Sequence, residues 1–364
     1  MALTVTLENK KHEQSTIHLM AKSLPGSQFI KDAFNINVTF PKEVEFYQNI
    51  LPEFIKLLEE NKIDIDYKKS FPKFVGAELI EKDGVLEDAT LIMENIKVDG
   101  YQLRPKTEGM DYVHSKMVIK ELALFHALGI ALKIKKPQVY ETKIKKTARP
   151  LKLGQSVEAA KKEIYDFMDQ TLDYLKGIKE VEHLVPRLKK VMYDNFLYAD
   201  MLEGYKPREP FSTFVHNDMW LNNMMFKYNN GEPSSLKLLD FQRTKLGSPI
   251  SDLFLFLYVS TSLDVVRNNF DEMLKLYHDT FLGWLTQLNV PTKDFSWENF
   301  QEELKHGSEE VSMPVAMMRL LFMKVDVDPS EIEMDTFGKI GDGNPDCEIR
   351  HVYVVQDLAK RGWI

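Results

Sequence analysis

Cysteine is almost absent from this sequence, and positive charge is in the minority. The single cysteine, Cys347, excludes a framework of internal disulfides and is typical of a protein in a reducing compartment. The chain holds 47 lysine and arginine residues against 55 aspartate and glutamate residues, which gives a net charge of −8. Because nucleic-acid backbones select basic surfaces, this balance argues against nucleic acid as the main ligand.

Long hydrophobic runs are also missing. The N-terminal stretch MALTVTLENKK has neither a basic segment nor a long apolar one, so it does not resemble a signal peptide. The densest apolar run, residues 253–259, is far too short to cross a bilayer. We therefore expect a cytoplasmic protein that has no membrane partner.

The first part of the chain mixes strands with one helical stretch. Residues 4–9 and 15–24 resemble strands separated by a polar turn, whereas apolar residues recur at helical spacing across residues 40–61. Two more strand-like stretches flank an Asp-Gly turn further on. These patterns predict a small β-rich lobe over residues 1–97.

Long amphipathic segments dominate the rest of the chain. A β-rich insert at residues 211–241 interrupts them, and helical patterns resume afterwards. The sequence therefore predicts an α+β protein of two lobes, with a helical lobe over residues 98–364. The long amphipathic segments cover about residues 112–133, 156–178 and 182–203.

The chemistry is concentrated in the string HNDMWLNN and the hairpin pattern after it, within a predicted catalytic loop at 214–243. Asp218 lies two residues after His216, and Asn223 lies five residues after Asp218. A turn then sends the chain back antiparallel, so that Asp240 is expected beside Asn223. Three oxygen-bearing side chains are thereby predicted at one end of a hairpin.

Phosphoryl transfer needs such a set of side chains. A carboxylate must orient an acceptor hydroxyl and take its proton, and hard oxygen ligands must hold Mg²⁺ against nucleotide phosphates. Asp218 suits the catalytic base, and Asn223 and Asp240 suit the metal. His216 would brace the loop rather than react. The alternative is a chance pair among ordinary turn formers, but the full pattern HxDxxxxN, hairpin and Asp-Phe favours a kinase-type loop.

These strings resemble those of the insect ecdysteroid kinase-like family, also called the CHK kinase-like group. This family is related to choline kinases and aminoglycoside phosphotransferases. HNDMWLNN and LLDFQ are similar to the family strings HGDLWxNN and DFQ. The likeness extends in the same order to FPKEVEFYQNILP, LIMEN, LALFHALG and DLAKRGW, and so covers nearly the whole chain.

The resemblance implies a two-lobed protein-kinase-like fold with ATP and Mg²⁺ as cofactors. It implies transfer of the γ-phosphoryl group of ATP to a hydroxyl of a small lipophilic acceptor, of the ecdysteroid or xenobiotic type. The acidic composition also favours a small-molecule partner. We expect a monomer.

The resemblance also assigns an ion pair to the small lobe. Lys22 is similar to the strand lysine that contacts the α- and β-phosphates, and Glu43 is similar to its partner. An ordinary strand-end lysine and a glutamate favoured by the helix dipole are the alternatives. Glu45 is the competing partner, although the family spacing favours Glu43.

Two further stretches carry family roles. Met93, Glu94 and Asn95, within LIMEN, resemble the hinge that binds adenine through backbone groups, and a plain edge strand is the alternative. Asp252 resembles the helix-borne aspartate that supports the catalytic loop. It could equally be a carboxylate at a helix N-terminus, beside a Ser251 cap.

Three other features have plain structural explanations. His126 lies among apolar helix neighbours, which favours a hydrogen-bonded histidine over a ligand. Trp220 either contacts substrate or only packs. Residues 133–152 hold eight basic residues against one acidic residue, and form either a solvated loop or a docking site for an anion.

One expected element is missing from the sequence. A kinase of this kind has a glycine-rich loop before its strand lysine, but the first glycine here is Gly26, which follows Lys22. Either the chain is truncated just after this loop, or it is a degenerate, impaired member. The intact site residues favour truncation, and the chain as written should bind nucleotide weakly. A pseudokinase and a metal-dependent phosphohydrolase are the alternative functions.

Overall fold

A four-stranded antiparallel sheet begins the chain in the computed structural model, which describes residues 1–8, 13–150, 157–195, 208–307, 311–318 and 344–364. The strands lie in the order β1-β2-β4-β3. Lys22 on β2 lies opposite Leu91 on β4, so the lysine-bearing strand is a direct neighbour of the strand that leads into LIMEN. The strands are β1 (Ala2–Glu8), β2 (Gln14–Ser23), β3 (Phe74–Lys82) and β4 (Val85–Glu94).

The helices between β2 and β3 carry Glu43. They are α1 (Gln28–Ala33), α2 (Ile36–Glu45) and α3 (Leu51–Glu60), and a π-helical turn at Phe46–Ile50 joins the last two. The sequence predicted one continuous helix here, and the extra residue per turn was not foreseen. Such π-turns are often found near functional sites. A small core of Ile36, Phe40, Val44, Leu86, Ala89 and Leu91 seats α2 against the sheet.

The rest of the described chain is mainly helical. Two short antiparallel pairs are set into it: β5 (Thr213–Val215) with β8 (Lys245–Gly247), and β6 (Met224–Asn229) with β7 (Glu232–Leu238). The helices are α4 (Tyr112–Lys135), α5 (Pro137–Val139), α6 (Lys145–Thr147), α7 (Val157–Lys176), α8 (Val185–Asn195), α9 (Ile250–Leu255), α10 (Leu263–Asn268), α11 (Phe270–Gln287), α12 (Trp297–His306), α13 (Ser312–Met317) and α14 (Pro345–Arg361). The predicted α+β class is confirmed. The predicted helix end at 196–203 lies outside the described residues.

Helix α4 runs through the centre of the helical part. Apolar side chains cover it on most sides, which is the pattern of a buried helix. At Gly129 a Cβ atom would lie 2.3 Å from the Thr213 Oγ1 atom, so only glycine allows β5 to approach this closely. The Thr213 hydroxyl donates a hydrogen bond of 2.8 Å to the His126 carbonyl, which fixes β5 and the loop after it on α4. Among the described residues, no helix has both the length and the apolar character that a membrane span requires.

A cluster of aromatic rings lies beneath the loop that follows β5. The Phe241 ring stacks on the Phe46 ring, with centroids 3.6 Å apart and planes 8° apart. The same ring lies 4.6 Å from the His216 ring and 6.0 Å from the Phe125 ring. Aromatic pairs of this kind add to the free energy gained by burial. The cluster therefore links the π-turn, α4 and the segment of Asp240.

Ion pairs neutralise much of the basic stretch at residues 133–152. Lys133 binds Glu209 at 2.6 Å, and Lys136 binds Glu60 at 2.7 Å. Lys143 is paired with Glu53 in the same way. These contacts tie the stretch to neighbouring elements, so at these positions it is neither a purely solvated loop nor an open docking site for an anion.

Candidate active site

The catalytic loop begins where β5 ends and closes on the hairpin of β6 and β7. The Leu239 amide donates a hydrogen bond of 2.9 Å to the Asn223 carbonyl, so Asp240 returns beside Asn223 as the sequence predicted. Asn217 and Asp240 both have positive φ angles, of 61° and 63°. Non-glycine residues held in this conformation cluster at functional sites, where the surrounding structure compensates for the strain.

Asp218 and Asn223 are joined directly. The Asn223 Nδ2 group donates to the Asp218 Oδ2 atom and to the Asp218 carbonyl, both at 2.8 Å. Burial raises the pKa of the Asp218 carboxyl, whereas the Arg243 guanidinium opposes the rise. A carboxylate fixed by an amide and made more basic by burial is well suited to accept a proton.

His216 braces the loop, as its position in the motif indicated. Its Nε2 atom donates to the Leu239 carbonyl at 2.9 Å, which ties the loop to the returning strand. Its backbone amide donates to the Asp252 Oδ2 atom at 2.8 Å, and the Asn217 amide donates to Oδ1 at 2.6 Å. These contacts fix the loop that carries Asp218.

Asp252 holds the catalytic loop from below. Its carboxylate is fully buried and also accepts a hydrogen bond of 3.0 Å from His126 Nε2. Burial alone would raise the pKa of Asp252, but the contacts with His126 and His216 lower it below its usual range. Asp252 also lies in the first turn of α9, so the interpretation as a helix-end carboxylate is confirmed as well. Only the Ser251 cap is wrong, because α9 begins at Ile250 and the Ser251 hydroxyl donates to the Ser248 carbonyl.

His126 is a buried, hydrogen-bonded histidine. Its second ring nitrogen, Nδ1, lies 2.8 Å from the Tyr277 hydroxyl. Both ring nitrogens are thus used, and the histidine is more deeply buried than the sequence indicated. Its contribution is to orient Asp252, and through Asp252 the catalytic loop.

Lys22, Glu43 and Asp240 form a charged triad at the edge of the small sheet. The Lys22 Nζ atom lies 2.7 Å from Glu43 Oε2 and 3.0 Å from Asp240 Oδ1. Burial works to lower the pKa of Lys22, but the two carboxylates more than offset this and raise the pKa above its ordinary value. Burial raises the pKa of Glu43, and the Lys22 ammonium opposes that rise.

Glu45, the competing partner, is excluded by the structure. Its Oε2 atom binds the Arg149 guanidinium at 2.6 Å, on another face of α2. Lys22 is 31% exposed and Asp240 is 34% exposed, so the open side of the triad faces solvent. A phosphate group can therefore reach the ammonium without passing through the core.

Two backbone amides of the predicted hinge already donate hydrogen bonds to other backbone carbonyls of the small lobe. The Glu94 amide donates to the Lys73 carbonyl and the Asn95 amide donates to the His18 carbonyl, both at 2.9 Å. Neither amide is therefore open to a nucleotide base. The next amide, of Ile96, has no hydrogen-bond partner among the described residues, and the sequence analysis did not single it out. Met93 lies inside the strand, opposite Met20.

The oxygen atoms at Asn223 and Asp240 suit Mg²⁺. Both hydrogen bonds of the Asn223 amide use Nδ2, which leaves Oδ1 as its remaining acceptor. Asp240 adds a partly exposed carboxylate. Among the described residues, no group of three or more His, Cys, Asp and Glu side chains could enclose a metal ion. A site of one carboxylate and one amide oxygen fits Mg²⁺, which retains water and substrate phosphates as ligands.

Two basic residues beside this site were not predicted from the sequence. Arg243 follows Asp240 by three positions and acts electrostatically on Asp218. The Lys106 ammonium lies 5.6 Å from the Trp220 ring centroid, within the catalytic loop region, so Trp220 makes a cation–π contact there. Neither Lys106 nor Arg243 belongs to a motif, and only their position in the folded chain shows that they lie beside the site.

The fold and the loop geometry together define a protein of the kinase-like class. The family model for the ecdysteroid kinase-like family matches residues 1–290, and the chain belongs to this family. The predicted family is thereby confirmed. A comparison with curated protein sequences found no match.

Several solved structures are similar at low identity. A choline kinase from Cryptosporidium parvum Iowa II matches with 10% identity and a TM-score of 0.45, over 100% of this chain and 91% of that chain. A spectinomycin phosphotransferase in complex with ADP and spectinomycin matches with 10% identity and a TM-score of 0.43, over 98% and 93%. An ethanolamine kinase from Plasmodium vivax matches with 11% identity and a TM-score of 0.42, over 100% and 81%. Similarity at this level carries no conclusion about activity.

Proposed function

We propose that the protein is an ATP-dependent small-molecule kinase that phosphorylates a hydroxyl group. The observation that carries this proposal is the Asp218 carboxylate, which burial makes more basic and which Asn223 holds by its amide. The charged triad of Lys22, Glu43 and Asp240 supports it, because a fixed ammonium is available for phosphate. Membership in the ecdysteroid kinase-like family agrees with this chemistry.

In the proposed reaction the acceptor hydroxyl attacks the γ-phosphorus of ATP. Asp218 accepts the hydroxyl proton as the new P–O bond forms, the bond to the β–γ bridging oxygen breaks, and ADP leaves. Lys22 binds the non-transferred phosphates, and Glu43 keeps its ammonium in place. Asn223 and Asp240 would hold Mg²⁺, which supplies charge neutralisation at the phosphate oxygens.

The adenine base is assigned to the segment after β4, where the small lobe of residues 1–97 meets the helical lobe of residues 98–364. The Ile96 amide is the donor there that has no partner among the described residues. Replacing Ile96 with proline removes this donor and is expected to weaken ATP binding about tenfold, the value of one hydrogen bond. Ile96→Val retains the amide and is the matched control.

The acceptor is proposed to be a small lipophilic alcohol of the ecdysteroid or xenobiotic type. Family membership supports this class. The Lys106 ammonium beside Trp220 also favours a neutral acceptor over a cationic one, because like charges repel.

The test is an assay with Mg-ATP and a panel of sterols and phenols. Wild-type protein should form a phosphorylated acceptor, and Asp218→Asn should slow transfer by about 10²–10⁴-fold, the usual range for losing a general base. Asp64→Asn makes the same change at an exposed site and should leave the rate unchanged. ATP binding without transfer would select the pseudokinase alternative. ATP-independent release of phosphate from phosphoesters would select the phosphohydrolase alternative.

A further inference from the structure

Lys42 is a buried lysine that has no carboxylate partner among the described residues. It lies on α2 directly before Glu43, and it is 2% exposed. Its Nζ atom donates a hydrogen bond of 2.9 Å to the Thr244 carbonyl. The Glu43 carboxylate is directed instead to Lys22. Burying an ammonium group without an anion costs free energy, so a bound anion would stabilise this site.

The groups around this ammonium are mostly basic. Arg243 and Lys245 flank Thr244 in the chain, so both lie beside the carbonyl that Lys42 binds. Glu45 lies on the same helix three residues after Lys42, and it binds Arg149 at 2.6 Å. Lys42, Arg149, Arg243 and Lys245, which we call the basic cluster, thus lie near Glu45, which is itself paired with Arg149, and Arg243 also acts on the Asp218 carboxylate.

The basic groups of the cluster affect the pKa of its buried member, Lys42. Burial is the main cause that lowers the pKa of Lys42, Arg149, Arg243 and Lys245 add to it, and Glu45 opposes it, so that the resulting pKa is about 7. Near neutral pH the amine is therefore divided between its charged and neutral forms. An added anion would favour the charged form.

The other members of the cluster reach solvent. Arg149 is 31% exposed, and Arg243 and Lys245 are also partly exposed. The cluster lies between α2 and the segment that runs from Asp240 to β8, so it adjoins the charged triad without including Lys22. Two guanidinium groups and an ammonium at one place are suited to the oxygen atoms of a tetrahedral anion.

We propose that the basic cluster is a binding site for a phosphate-type oxyanion, either free or carried on a small molecule, and that this site is separate from the one at Lys22. The anion binds at Arg149, Arg243 and Lys245, and Lys42 supplies charge from beneath. Binding takes up a proton at Lys42 and strengthens its bond to Thr244. Thr244 follows Asp240 in the chain, and Lys42 directly precedes Glu43. An anion bound at the cluster therefore helps to hold the Asp240 and Glu43 carboxylates of the charged triad in position.

Titration calorimetry with sodium sulfate tests the site at constant ionic strength. Sulfate keeps a fixed charge near neutral pH, so any proton taken up belongs to the protein. Measurements in two buffers of different ionisation enthalpy should show saturable binding with proton uptake. The affinity should fall by up to about tenfold from pH 7 to pH 8, as expected for one linked proton.

Variants separate this site from the proposed active site. Arg243→Gln should weaken sulfate binding about tenfold or more, which corresponds to ~1.4 kcal/mol. Lys42→Met should abolish the proton uptake, and Lys22→Met should leave sulfate binding intact. Circular dichroism and a thermal melt check that each variant is folded.

Two further titrations identify the source of the anion. Inorganic phosphate and a phosphate monoester of a small alcohol compete with sulfate, and the tighter competitor defines the ligand. Absence of saturable binding up to about 50 mM sulfate, where even a weak site would be filled, would overturn the proposal. Loss of binding in Lys22→Met but not in Arg243→Gln would also overturn it. The outcome does not depend on turnover, so it stands apart from the kinase assay.

Discussion

Replacing Asp252 with asparagine should destabilise the protein well beyond the loss of a helix-end charge. The buried carboxylate accepts three hydrogen bonds, from the amides of His216 and Asn217 and from the His126 ring. An asparagine side chain offers only one oxygen, so its NH₂ group must face at least one N–H donor. One buried donor left unsatisfied costs about 1–3 kcal/mol, and loss of the charge-assisted bonds brings the total to about 2–4 kcal/mol.

Urea unfolding at pH 7 measures this difference, and Asp264→Asn is the matched control. Asp264 also lies in the first turn of a six-residue helix, but it is exposed, and within the described part of the chain its side chain accepts a hydrogen bond from Asn268 alone. Its loss should cost only about 0.3–1 kcal/mol. If Asp252→Asn costs no more than Asp264→Asn, then Asp252 serves only as a helix-end charge, and the account of loop support is refuted.

The pH dependence of the Asp252 effect has a definite sign. The pKa of Asp252 is lowered in the folded protein, so its contribution to stability is present above the unfolded pKa of about 3.9. This contribution is lost as the pH falls through the folded value. The gap between wild type and Asp252→Asn should therefore be constant from pH 6 to pH 8 and should narrow in acid.

Three other changes have expected outcomes. The pKa of Lys42 falls to about 7 on folding, so burial of its charge costs most below pH 7. Relative to Lys42→Met, wild type should gain about 2 kcal/mol between pH 7 and pH 9 in urea unfolding. Gly129→Ala should lower the melting temperature because its Cβ meets β5, whereas Gly283→Ala, on the open face of α11, should stabilise by about 0.5–1 kcal/mol. Glu43→Gln should weaken ATP binding at least about tenfold and also lower stability, since it leaves Lys22 beside an uncharged group. Equal ATP affinity of the variant and wild type in calorimetry would contradict the pairing of Lys22 with Glu43.

The catalytic loop was predictable because its geometry is local. Asp218 and Asn223 are five residues apart, and one hairpin brings Asp240 back to them, so spacing and turn residues were enough. The choice between Glu43 and Glu45 needed the family spacing. Both lie on α2, and the pattern alone does not tell which of them faces the sheet.

Other features depend on contacts that no local pattern carries. The bond from Lys42 to the Thr244 carbonyl spans 202 positions in the chain, and neither residue belongs to a motif. The open amide at Ile96 follows from how the neighbouring strands use the amides of Glu94 and Asn95. The π-turn in the helix of Phe46 breaks a periodicity that otherwise indicates one regular helix. Each is set by packing between distant segments.

The most direct test of the central claim is product analysis after incubation with Mg-ATP and an acceptor alcohol. Phosphorus NMR should show ADP and phosphorylated acceptor in equal amounts for wild type, and neither for Asp218→Asn over the same period. Both proteins should bind ADP with similar affinity, because the role proposed for Asp218 is toward the acceptor rather than the nucleotide. Equal rates of transfer in the two proteins, or ADP formed without phosphorylated acceptor, would contradict the assignment of Asp218 as the base of a small-molecule kinase.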